Sequence, residues 1–400
     1  MSAHIVVTNL PAAGHVLPTL GVVSELVERG HRVSYVAVDR YAEEVKATGA
    51  EHVSYRSPME GQQPPMEITT DLIAQVPLAF LNECKASTSA LENHVRDSTP
   101  DLLMYDVSIA SGPQLLARQW NRPGVKTFPT LTGNEHYRLD LALMGDLVMD
   151  PAHPALVEYG AVLAEFAASH GMPEVSQAGL AADINEHDLV FVPREFQPYG
   201  ETFGADTTFA GPCLADRSYQ GSWTPPDNKK VLLVSLGTGF NLQPEFFRQC
   251  VRAAVELPDW HVVIAIGERV SLAELGELPA NVEAHPRVAQ LDVLAHADAF
   301  VSHAGMGSTM ESLFFGVPLV AVPQMREQEV NAGRIAELGV GVRLARETVD
   351  AAQIRAAVLK VESDEEIQGR TAQMSEHVRA AGGAAAAADA VEARLAGRTS

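Results

Sequence analysis

Positive charge is scarce in this chain. Its 400 residues hold 29 Lys and Arg against 51 Asp and Glu, a formal net charge of −22. A nucleic-acid partner needs a positive footprint and is disfavoured, whereas an anionic small ligand needs only a few local donors. Cysteine is scarcer still. Cys84, Cys213 and Cys250 stand far apart with no C-x-x-C pair. Neither a disulfide framework nor a cysteine zinc site is expected, which fits a reducing cytoplasm. No run of about 18 apolar residues occurs, so no membrane-spanning helix is expected. The opening residues, MSAHIVVTNLPAAGHV, lack the basic stretch, apolar core and cleavage site of a signal peptide. The fingerprint G-x-G-x-x-G with a later ribose acid is missing, and so are D-x-D and any other metal-spaced cluster.

What is present is a globular composition, 46% hydrophobic and 20% charged. At about 150 residues per domain, the length predicts two or three domains. Short apolar runs alternate with helical patterns. His4–Thr8, Val33–Val38, Asp101–Asp106, Gly124–Phe128 and Asp188–Val192 read as strands. The first helix places Leu20, Val23 and Val27 on one face and stops at Gly30, with Pro18 tolerated in a first turn. Residues 134–187 are helix-rich and irregular, and read as an insertion. Residues 214–229 are polar, carry two prolines and read as a linker. The alternation then restarts with strands at Val231–Leu236, His261–Ile266, Ala299–Ser302 and Leu319–Val322. This predicts an α/β chain with two parallel-sheet domains, residues 1–213 and 230–381, and a terminal helix in 382–400 that packs back on the first. A cleft between two such lobes is a favoured ligand site.

The densest motif is FVSHAGMGSTME, Phe300–Glu311. A strand ends at Ser302, a tight loop carries His303, Gly305 and Gly307, and a helix is expected from near Ser308. Small residues let backbone N–H groups approach an anion, and a helix N-terminus adds about half a positive charge. The pattern has plainer readings too. Ser308-x-x-Glu311 fits a capping box that needs no ligand, and His303 fits a hydrogen-bonded core histidine. Gln290 precedes His303 by 13 residues, and Glu327-Gln328 follows Glu311 by 16, each after a strand-like run.

The whole constellation, Q-x12-H-A-G-x-G-S-x-x-E with G-V-P and P-Q-x-x-E-Q after it, resembles the nucleotide-sugar signature of the inverting family 1 glycosyltransferases. The likeness to bacterial macrolide and enediyne enzymes runs along essentially the whole chain. It implies the GT-B fold, two Rossmann-like lobes facing a cleft. It also implies that His303 and Gly305, Gly307 and Ser308 hold a diphosphate, that Glu311 holds ribose hydroxyls and that Gln290 lies beside the nucleoside. Glu327 and Gln328 then contact the donor sugar, and Gly237 and Thr238 face the donor from the other side. The family usually has Trp where Arg287 stands and Pro at Ala289. Arg287, beside Val288, can stack on a base or be a solvated arginine.

His15, in G-H-x-x-P, matches the general base of the family, and Asp106 fills the place of the acid that orients it. Their plainer readings are a structural loop histidine and a helix N-cap. His136 in N-E-H-Y lies near where the family binds acceptors, and is otherwise a surface histidine. The resemblance implies metal-independent, inverting transfer from UDP-glucose or a TDP-sugar to a hydroxyl of a hydrophobic natural product, with no cofactor, by a monomer or homodimer. M-R-E-Q-E and the fully polar Glu327-Gln328 pair favour UDP-glucose; N-E-H-Y favours a TDP-deoxysugar in enediyne or polyketide biosynthesis. Two other classes stay open: a nicotinamide oxidoreductase, since Gly237-Thr238-Gly239 follows a strand, and a non-catalytic sugar-nucleotide-binding protein.

Overall fold

A computed structural model describes residues 2–61, 69–145, 147–174, 179–180, 186–215, 217, 220–239 and 241–397. The first sheet has seven strands: β1 (His4–Thr8), β2 (Arg32–Ala37), β3 (Glu51–Ser54), β4 (Leu102–Asp106), β5 (Gly124–Phe128), β6 (Glu186–Val190) and β7 (Thr207–Phe209). Their spatial order is β3-β2-β1-β4-β5-β6-β7, and every pair is parallel. The second sheet has six: β8 (Lys230–Ser235), β9 (Trp260–Ala265), β10 (Val282–His285), β11 (Ala299–Ser302), β12 (Leu319–Ala321) and β13 (Gly341–Arg343). It is also wholly parallel, ordered β10-β9-β8-β11-β12-β13.

Helices cover both faces of each sheet, so the central strands have no polar side. Ile5, Val6 and Val7 of β1 are fully buried, as are Leu233 and Val234 of β8. Each such side chain contributes about 1.5–3 kcal/mol of transfer free energy. The fold therefore has the GT-B form, two doubly wound parallel-sheet lobes. The order in which strands are added reverses between β1 and β4 in the first lobe, and between β8 and β11 in the second. Crevices beyond the carboxyl ends of strands at such reversals are where open α/β sheets bind ligands.

Between the lobes, the helix Ala13–Glu28 abuts the helix Met306–Phe315. The terminal helix Gly383–Ala396 lies on the first lobe, where Ala387, Ala388 and Val391 join its core. Arg29 there reaches Asp389 and Glu392, each at 2.6 Å.

Two helix starts depart from expectation. The first helix begins at Ala13, so Pro18 lies inside it and not in its first turn. Proline has no N–H, so the Gly14 carbonyl loses its helical donor. The helix expected near Ser308 begins at Met306 with Gly305 as N-cap. Among the described residues no helix is long and apolar enough to cross a membrane.

Candidate active site

Both reversal points hold chemistry. In the first lobe, His15 sits in the first turn of the helix that follows β1, and Asp106 ends β4. His15 Nδ1 lies 2.7 Å from Asp106 Oδ2. The carboxylate can only accept, so Nδ1 carries the hydrogen, and in the neutral ring Nε2 keeps the lone pair. Asp106 is buried and His15 a quarter exposed, so the ring is held at its back and open at its front. Burial alone would lower the His15 pKa. The Asp106 charge and hydrogen bond outweigh it, the Glu327 charge adds to them, and the pKa is raised. Glu327 belongs to the second lobe, on the helix that follows β12, so His15 feels charge from both lobes.

Below His15 lies a buried polar network that sequence reading missed. Asn9 Nδ2 donates to Tyr35 Oη at 2.6 Å, to Thr19 Oγ1 at 2.7 Å and to the His15 carbonyl at 3.3 Å. The three residues come from a loop, a helix and a strand, and no local pattern joins them.

In the second lobe, His303 follows β11 and Gly237 follows β8. Gly237 has φ +69°, and a Cβ there would stand 2.6 Å from His303 Cε1 and Nε2. A Cβ at Gly305 would collide with the same ring edge. The two glycines thus make room for an imidazole wedged between them. Burial pulls the His303 pKa down to about 4, with a backbone hydrogen bond at Ser235 opposing it. The ring is neutral near neutral pH, and its buried Nδ1 has no partner.

The residue after it, Ala304, has φ +61°. This left-handed conformation costs an alanine about 1–2 kcal/mol. Asn331 Nδ2 donates to the Ala304 carbonyl at 3.0 Å and helps hold the turn.

The Met306–Phe315 helix has no side-chain cap and no acid in its first turn. Ser308 is its third residue and not its cap, so the capping box does not form. Glu311 is buried in the next turn. Its Oε2 accepts from Gln290 Nε2 at 2.6 Å, and its Oε1 pairs with Arg217 Nη1 at 2.7 Å. Ser308 Oγ lies 3.4 Å from the same Gln290 nitrogen. An uncapped helix start beside a buried carboxylate offers donors for a diphosphate and an acceptor for sugar hydroxyls.

Comparison with known proteins assigns the chain. Residues 249–393 match the family described as Erythromycin biosynthesis protein CIII-like, C-terminal domain. Oleandomycin glycosyltransferase of Streptomyces antibioticus is 38% identical, over 99% of this chain and 92% of that one. NDP-glycosyltransferase YjiC of Bacillus licheniformis is 37% identical over 98% of each. The crystal structure of CalG4, the calicheamicin glycosyltransferase, superposes with a TM-score of 0.88 at 38% identity, covering 99% of this chain and 98% of that one.

The chain is a family 1 natural-product glycosyltransferase. The nicotinamide oxidoreductase reading falls with that result. The glycosyltransferase uses a nucleotide sugar and a small-molecule acceptor. Its remaining expected site residues divide into two groups. Glu327 opens the helix Arg326–Leu338, with Gln328 buried behind it and accepting from the Gln324 N–H at 2.8 Å. Thr238 is exposed beside Gly237, and Val288 packs against the second-lobe core. Arg287 and His136 are not drawn into the cluster. The Arg287 side chain is 81% exposed and pairs with Glu268 at 2.9 Å. His136 is exposed beside Glu135. Arg217 of the linker was missed altogether, because its partner Glu311 lies far along the chain and no spacing links them.

Proposed function

We propose that this glycosyltransferase moves a sugar, read as glucose from UDP-glucose, onto a hydroxyl of a hydrophobic natural product such as a macrolide, with inversion. His15 Nε2 takes the hydroxyl proton as the oxygen attacks the anomeric carbon. The bond from that carbon to the diphosphate breaks, and the nucleoside diphosphate leaves with the bonding pair. Asp106 fixes the tautomer and stabilises the imidazolium that forms. His303, the Gly305–Ser308 turn and the helix start donate to the departing diphosphate, so charge is met by oriented donors without a metal or cofactor. Gly237 and Thr238 line the opposite wall, Glu311 takes the ribose with Gln290 beside the nucleoside, and Glu327 and Gln328 take the sugar.

The observation that carries this reading is the 2.7 Å contact between His15 and Asp106 at the reversal point of the first lobe. The relatives named for oleandomycin and for nucleotide-sugar transfer support the acceptor and donor classes. A test is a thermal-shift panel of UDP, TDP, UDP-glucose and TDP-glucose, since a ligand bound only by the native state raises the melting temperature. Stabilisation by the uridine pair supports the reading, and no shift with any of the four sinks it. For the base, His15→Ala is expected to bind UDP normally and turn over no sugar. Full turnover in that variant removes the base assignment.

A second reading is a TDP-deoxysugar donor used in antibiotic biosynthesis. The occupied Glu311 favours it, because both carboxylate oxygens already have protein donors. A deoxyribose presents one ribose hydroxyl fewer and demands less of them. Larger shifts with TDP than with UDP decide for this reading.

A further inference from the structure

The linker between the lobes places one buried cation on the donor side of the cleft. The Arg217 side chain is 11% exposed and that of Glu311 6%, with Nη1 to Oε1 at 2.7 Å. Gln290 joins the same carboxylate and also neighbours Ser308, one helical turn before Glu311. Side chains on a helix lean toward its N-terminus. Glu311 and the guanidinium paired with it therefore lie toward the uncapped first turn.

That first turn has a charge problem. A nucleoside diphosphate is a multiply charged anion, yet Gly237, Thr238, Gly305, Gly307 and Ser308 carry no charge, and buried His303 is neutral. The helix start supplies about half a charge. Arg287 is exposed and paired with Glu268. Arg269 is exposed and already engaged on the opposite loop, where its side chain donates to the Gly239 carbonyl at 2.7 Å.

We infer that Arg217 is an exchangeable cation: it neutralises Glu311 until a nucleoside diphosphate enters, then moves to the diphosphate while Glu311 turns to the ribose hydroxyls. This rests on the donor-site reading above. The exchange is energetically reasonable. Buried ion pairs sit near balance between desolvation and attraction, so trading one for another costs little. A guanidinium fork fits carboxylate and phosphate alike, which a lysine ammonium does not. Because Arg217 belongs to the connection between lobes, donor binding is coupled to the position of that connection.

Calorimetric titration of the full chain with UDP and with uridine tests this. Arg217→Gln is expected to weaken UDP about tenfold or more, the worth of one charged hydrogen bond. It is expected to leave uridine unchanged or tighter, and Arg217→Lys to recover part of the UDP loss. Arg269→Gln is expected to have the smaller effect. UDP and uridine tightening together in Arg217→Gln would make Arg217 a mere competitor and overturn the exchange, as would no change in either. Should Arg217→Gln fail to fold with Glu311 left bare, the Arg217→Gln/Glu311→Gln double variant replaces it. That variant must bind UDP more weakly than Glu311→Gln alone; equal affinity also overturns the exchange. A wild type that binds UDP while all variants match it sinks the exchange only. A wild type that binds neither UDP nor TDP sinks the donor-site reading as well.

Discussion

Asp106 grips His15 with one carboxylate oxygen and its own chain with the other. Oδ2 meets His15 Nδ1 at 2.7 Å, and Oδ1 accepts the Ser108 backbone N–H at 2.7 Å, capping the short turn Val107–Ile109. The strand-end cap and the ring-orienting acid are one residue. The cap leaves the side chain little freedom, which keeps the imidazole aimed without spending the proton acceptor on its far side.

Asp106→Asn should therefore cut kcat by about 10²–10⁴, the usual worth of a positioned acid–base group. It should also move the pH profile. In the proposed mechanism His15 must be unprotonated to act, and its pKa is raised above the usual 6.5 chiefly by Asp106 against the effect of burial. The acid limb of the wild-type kcat profile is expected above pH 6.5, and in Asp106→Asn at lower pH. An unmoved limb would separate Asp106 from the base. The linked stability has its own sign. A histidine raised on folding stabilises fully below its unfolded pKa and loses that contribution as pH rises through the folded one. The melting-temperature loss of Asp106→Asn should thus be larger on the acid side of neutrality than at alkaline pH.

Gly305→Ala should destabilise the protein and weaken UDP, because its methyl would strike the His303 ring. Gly305 has an ordinary φ of −61°, so alanine strains nothing else there. In the Gly305→Ala/His303→Ala double variant the methyl no longer meets the ring. A double-mutant cycle by urea unfolding should show coupling of about 1 kcal/mol or more. Strict additivity would mean the glycine is needed for another reason.

His303 should also weaken the fold in acid. Its folded pKa is about 4, held below the usual 6.5 mainly by burial. As pH falls below 6.5 the unfolded chain takes up a proton that the folded one refuses. This term removes about 1 kcal/mol between neutral pH and about pH 5.5. His303→Asn lacks it, and urea unfolding at both pH values should give the variant a flatter dependence than wild type.

Chelation should leave turnover intact. On the proposed reading the helix start, the neutral His303 ring and Arg217 donate to the diphosphate, so initial rates with and without EDTA are expected to agree. Rates that collapse with EDTA and return with a divalent cation would require a different stabiliser of the leaving group.

Much of this was legible in sequence, for physical reasons. Central strands buried on both faces are uninterrupted apolar runs, and Gly124–Phe128 and Ala299–Ser302 stand at their expected bounds. The strands β7 and β13 have three residues each, too few to show a period. The long helix Thr70–His94 was not read, with Pro77 breaking its pattern. Ser308-x-x-Glu311 imitated a cap and shifted a helix start by two residues. The true cap, Gly305, has no side chain to give such a signal. His15, Asp106 and His303 could be placed because each follows or ends a strand. Arg217 could not, because only the folded linker brings it to Glu311.

The path of the chain between lobes has one more consequence. It passes from the first lobe to the second after Gly211 and returns before Gly383. At the return the Gly383 N–H bonds the Ala210 carbonyl at 2.8 Å, and Gly211 lies against Val378 and Ala381. Outgoing and incoming segments are thus stitched at a single seam. Two crossings fastened at one place are not independent: a change in the length of one also shifts the other, and with it the terminal helix that completes the core of the first lobe.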